Sequence, residues 1–151
     1  MSAALRGFLY FTACVTGAGI LIVEILGAKM LSPYLGTSHF VWTAQIAVTL
    51  LALSAGYYVG GWLVDRSPKL NRLYYAILAS AVYLCATVPM VKPLCLKLMR
   101  LPLEWASLLA SAFLFLVPLA LLAMTGPFLV RMLTQSVRNV GTNMGRLTAI
   151  S

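Results

Sequence analysis

The chain has 151 residues with eleven Lys and Arg against three Asp and Glu, a formal net charge of +8, yet only 9% of it is charged and 62% is hydrophobic. A mean hydropathy of +0.95 at that length excludes most water-soluble enzymes and points to the bilayer as solvent. The basic residues fall in loops and at helix ends, where anionic headgroups are the nearest partner, so the charge implies no nucleic acid.

Four uncharged runs, Phe8–Val23, Val41–Val64, Leu73–Val91 and Trp105–Val130, occupy most of the sequence. A hydrocarbon core about 30 Å thick needs roughly 20 apolar residues. The expected fold is therefore an all-α integral membrane protein with four transmembrane helices, over residues 8–28, 41–64, 73–91 and 105–130. An interfacial or incipient fifth helix is expected at 135–151. The first span reaches full length only by admitting Glu24 near one end, where it can reach headgroups or pair inside a bundle. It is too long for a signal-peptide core and is read as retained.

In the first span, Thr16, Gly17, Ala18 and Gly19 form a small patch suited to close helix approach. Glu24 and Lys29 follow as candidate charge partners. The link Met30–Trp42 holds Pro33 and Gly36, expected to end the helix, and the aromatic residues Tyr34, Phe40 and Trp42 for the headgroup belt. His39, the one histidine, reads as a polar surface residue.

The second span repeats small residues at Ala52, Gly56 and Gly60, with Gly61 beside them. Such a row predicts tight packing on a neighbour, here expected to be the first helix. Asp65 and Arg66 then open a short charged turn. The third span offers no chemistry. Lys92–Leu103, basic and carrying Pro93 and Pro102, is expected to lie along the outer interface. The fourth span holds Pro118 and, after Met124 and Thr125, Gly126 and Pro127, where a kink or local unwinding is expected. Arg131 follows as the expected partner of Asp65.

Counted with the N-terminus in the cytoplasm, seven Lys and Arg fall on that side and four opposite, so both termini are expected in the cytoplasm. Cys14, Cys85 and Cys95 show no metal spacing and no disulfide framework. No catalytic constellation, metal site or cofactor site is expected.

Taken together these motifs resemble the N-terminal membrane region of fused MFS-like/spermidine-synthase-like membrane proteins. The resemblance rests on Thr16-Gly17, Glu24, Lys29, the turn Leu31–Ser38, Gly60-Gly61-Trp62-Leu63-Val64-Asp65-Arg66, Met124-Thr125-Gly126-Pro127-Phe128-Leu129-Val130-Arg131, and Val140-Gly141 leading to Gly145-Arg146-Leu147. It covers essentially the whole chain and implies the start of an MFS-like bundle in a bacterial or archaeal cytoplasmic membrane. Members of that family continue into a methyltransferase-like domain, which transfers an aminopropyl group in true spermidine synthases. No α/β alternation or nucleotide loop stands here to carry that activity, so the chain by itself is expected not to be an enzyme. The expected role is a non-catalytic subunit or anchor, its partners being lipid and other membrane subunits or further copies of itself. The alternative is part of an MFS-like transporter of a small cationic or amine solute.

Overall fold

The computed structural model describes residues 3–66 and 70–133, with residues 141, 144–145 and 148–149 beyond them. Within these residues the protein is helical and holds no strand. Helix α1 runs Ala3–Leu35, α2 His39–Arg66 and α3 Leu70–Leu98. The fourth stretch is composite: α4 Leu103–Ser111, a π-helical turn Ala112–Leu116, α5 Val117–Ala123 and α6 Thr125–Leu133. Four helices are thus long and apolar enough to cross a membrane. The fifth helix expected at 135–151 lies largely outside the described residues.

Each helix outruns its apolar run. At ~1.5 Å per residue, α1, α2 and α3 are about 42–50 Å long, more than a hydrocarbon core of ~30 Å requires. Helix α1 passes through Pro33 and ends two residues later. There Gly36, at φ 79°, donates its N–H to the Ser32 carbonyl at 2.9 Å, a left-handed stop that a side chain would strain. The interfacial segment expected at Lys92–Leu103 is corrected. Helix α3 continues through Pro89 and Pro93 to Leu98, because Val91 and Cys95 are buried and hold that end in the bundle. Only residues 99–102 connect it to α4.

The helices alternate in direction, but their order around the bundle is not their order in the chain. Helix α2 packs on α1 and on the composite fourth helix, and α3 packs on the same two from the other side. Helices α2 and α3 do not pack along one another. The composite helix is the interior element: half of its most apolar window is buried, against 17%, 28% and 17% for α1, α2 and α3.

Two apolar clusters hold the bundle. One gathers Leu31, Val41, Val91, Cys95, Leu114 and Phe115 toward the loop at Gly36. The other gathers Leu9, Val64, Leu73, Phe128 and Leu129 toward the opposite end. The outward faces of α1, α2 and α3 carry large exposed apolar side chains along their length, including Phe11, Ile22, Leu50, Leu51, Leu78 and Val82. Apolar surface so continuous is characteristic of a chain whose surroundings are not water.

Candidate functional site at the broken helix

The small residues of α2 face the composite helix and not α1, which corrects the expected pairing. A Cβ on Gly56 would overlap the Ala120 carbonyl oxygen and stand 2.6 Å from the Ala123 Cβ. One on Gly60 would stand 2.9 Å from both the Met124 Cα and the Pro127 Cγ. Backbone meets backbone here, so neither position has room for a side chain. Ala52 is fully buried one turn before Gly56. Around Gly19 and Gly61 the space is open.

Proline chemistry explains the shape of the composite helix. Pro118 has no N–H, so it orphans one upstream carbonyl: that of Leu114 in α-helical register, or of Phe113 in the i+5 register of the π turn. The Tyr83 hydroxyl of α3 donates to the Phe113 carbonyl at 2.8 Å. Ser80, fully buried one turn earlier on α3, donates to the Pro118 carbonyl at 2.9 Å. Further on, the α-helical path is interrupted at Met124, before Gly126 and Pro127. Pro127 likewise supplies no donor to the carbonyl of Ala123.

Beside this break lies a groove of about 180 Å³ between α1, α2 and the composite helix. Thr16, Gly17, Ile20, Leu53, Tyr57 and Thr125 are among its lining residues. The groove occupies the level between the two apolar clusters, where Ala123 and Gly126 also reach its wall. At its floor the Thr16 and Thr125 Oγ1 atoms are 3.2 Å apart. Thr125 Oγ1 lies 2.7 Å from the Leu122 carbonyl, and Thr16 Oγ1 lies 2.8 Å and 3.1 Å from those of Thr12 and Ala13. Each hydroxyl thus bonds back to the backbone of its own helix, and the two meet across the contact between α1 and α6.

Glu24, half-buried, stands one turn from the groove on the same helix face. The α1 lining residues Ala13, Thr16, Gly17, Ile20 and Leu21 step by three and four, and 24 is the next position in that row. Glu24 itself is not among the residues that line the groove. Lys29, Asp65, Arg66 and Arg131 are exposed. Among the described residues no ion pair joins Glu24 to Lys29 or Asp65 to Arg131. The Arg66 guanidinium instead lies over the Trp62 ring, 4.0 Å from its centroid.

Gln45 is a polar residue the sequence reading passed over. It is fully buried in α2 and neither end of its amide has a hydrogen-bond partner. Its Nε2 occupies the space a Gly27 side chain would fill, with Phe115 beside it. The buried Ser111 hydroxyl is also unpartnered. Among the described residues no three metal-ligating side chains converge. Compared with known proteins, the chain matches no family model, no curated protein and no solved structure.

Proposed function

We propose that the protein is a non-catalytic integral membrane subunit or anchor, whose outer helix faces pack against partner membrane helices. The observation that carries this reading is one flank of α3, where Ala79 and Ala86 are exposed two turns apart on the same side of the helix. Small residues gain little from contact with acyl chains, but they let a second helix backbone approach closely. The resemblance read from the sequence makes the membrane half of a split spermidine-synthase-like protein the specific form of this proposal. The cytoplasmic membrane of a bacterium or archaeon is its proposed place, with both termini inside, on the seven-to-four distribution of basic residues.

The test is purification of the tagged chain in mild detergent with mass spectrometry of whatever co-migrates. A stoichiometric membrane partner that is lost on Ala79→Trp or Ala86→Trp, with the chain itself still folded, is the expected result. A chain that migrates alone, unaffected by either substitution, overturns the proposal.

A second reading, part of an MFS-like transporter of a small cationic or amine solute, is favoured by one observation: the break at Met124 adjoins the groove. Interrupted helices with unpaired carbonyls commonly form solute sites in transporters. Proteoliposome uptake that disappears in Glu24→Gln while the protein remains assembled is its test.

A further inference from the structure

We infer that Arg66 and Arg131 clamp the phosphate of an anionic phospholipid, whose acyl chain lies along the outer seam between α2 and the composite helix. The site is separate from the groove and from the α3 flank, and it stands or falls independently of both readings above.

Register brings the two arginines together. Gly56 meets Ala120 and Ala123, and Gly60 meets Met124 and Pro127, so α2 and the composite helix run parallel with partners 64 and 67 positions on. Arg66 and Arg131, 65 positions apart, therefore stand at one level. Pro127 reaches Gly60 with its Cγ, and Arg131 is one turn further along the same face of α6. On α2, at about 100° per residue, Arg66 lies about 80° to one side of Gly56 and Tyr57 about 100° to the other. Tyr57 lines the groove, so Arg66 borders the seam on the side away from it. Backbone contact at the glycines puts the two axes at the short end of the usual range, about 8 Å, a separation that two arginine side chains can span to one anion.

Charge and depth fit a lipid phosphate. Both arginines are exposed, and among the described residues no ion pair engages either of them. Of the three acids only Asp65 belongs to this end of the bundle, and it stands about 180° from Gly56, on the far side of α2. The Trp62 ring already holds the Arg66 guanidinium, 4.0 Å from its centroid, so less ordering remains for binding to impose. Two planar guanidinium forks match phosphate oxygens, and they repel the cationic head of a zwitterionic lipid. Val64 and Val130 close the second and fourth uncharged runs, which sets the pair at the polar boundary of the bilayer. Inward from there the rim of the seam is apolar and exposed, with Val59 and Trp62 on α2 and Phe113 and Val117 on the composite helix.

The experiment reconstitutes the full chain carrying Trp42→Phe and Trp105→Phe, which leaves Trp62, beside the clamp, as the one tryptophan. Vesicles of phosphatidylcholine receive increasing fractions of phosphatidylglycerol brominated in its acyl chains, and quenching of Trp62 fluorescence reports the lipid in the seam. Vesicles with bromine on the phosphatidylcholine instead report the competing lipid. Phosphatidylglycerol is expected to be favoured about fivefold or more over phosphatidylcholine. The preference should fall to about twofold or less in Arg131→Gln, a change on the other helix that leaves Arg66 on Trp62, and should be partly kept in Arg131→Lys. Arg72→Gln, on α3, should leave it unaltered. Circular dichroism and size exclusion establish that the variants are folded. Equal quenching by the two lipids, or an unaltered preference in Arg131→Gln, overturns the inference. A loss in Arg72→Gln as large as that in Arg131→Gln also overturns it, because the attraction would then belong to the diffuse charge of that end and not to the pair.

Discussion

Helix α3 and the composite fourth helix each contain two prolines, and only one of them is interrupted. Pro89 and Pro93 lie on the exposed side of α3, which continues without a break from Leu70 to Leu98. Pro118 is fully buried and Pro127 half-buried, and the helix around them divides into three segments and a π turn. The residue type is the same in both, so the surroundings decide the outcome. Beside the inward-facing Pro118 a neighbouring side chain replaces the missing donor, as Tyr83 does for the Phe113 carbonyl, and the altered register is held in place. Where it faces outward, no neighbour rewards a new register and the ordinary one persists.

The largest effect is expected where α2 clasps the interrupted helix. Gly56→Leu should cost about 3 kcal/mol or more in a mixed-micelle unfolding titration, since the obstructing atoms belong to the Ala120 backbone and cannot rotate away. The open position Gly61→Leu should change stability by less than about 0.5 kcal/mol in the same assay.

Next comes the π turn. Tyr83→Phe should cost about 1–3 kcal/mol by leaving the Phe113 carbonyl without its donor. Much of that cost should vanish in a Pro118→Ala background, where residue 118 regains an N–H; additive losses across this double-mutant cycle would show that the hydroxyl is not compensating for the proline. In α3 the opposite sign is expected. Pro89→Ala should raise stability by about 1 kcal/mol, because the Cys85 carbonyl recovers a donor and nothing is packed on the ring to be lost. Destabilisation by Pro89→Ala as large as that caused at Pro118 would refute the distinction between inward and outward prolines.

A smaller loss than at either proline is expected at the floor of the groove. Thr16→Val keeps the shape and removes one hydroxyl from the contact between α1 and α6, with an expected loss of about 0.6 kcal/mol.

Much of the architecture was legible from the uncharged runs, because helix length and hydrophobicity report directly on each segment. A local interruption was expected near Pro118 and at Gly126-Pro127, since a missing N–H is a local fact, and the π turn and the break at Met124 lie beside these residues. The partner of each face was not. The row Ala52, Gly56, Gly60 announces a close neighbour without saying which, and adjacency in the chain suggested α1 where the bundle supplies the fourth helix. The continuation of α3 through Pro93 was hidden for a related reason: the burial of Val91 and Cys95 depends on helices distant in sequence. Thr16 and Thr125 were both visible as polar residues beside glycines, but their meeting, 109 positions apart, is a property of the fold alone. Gln45 is the opposite case. An amide within an otherwise apolar run was plain to see, and its isolation in the interior was not.

The order of the helices around the bundle also constrains how the protein is made. The glycine face of α2 leaves the ribosome long before Ala120 and Pro127, the groups it closes upon. At about 5–20 residues per second, that interval is on the order of several seconds. Throughout it, a surface shaped for intimate contact with another backbone has no intramolecular mate, and a second nascent chain presents the same surface. Synthesis rate therefore sets how long that face waits for the segment of its own chain that covers it.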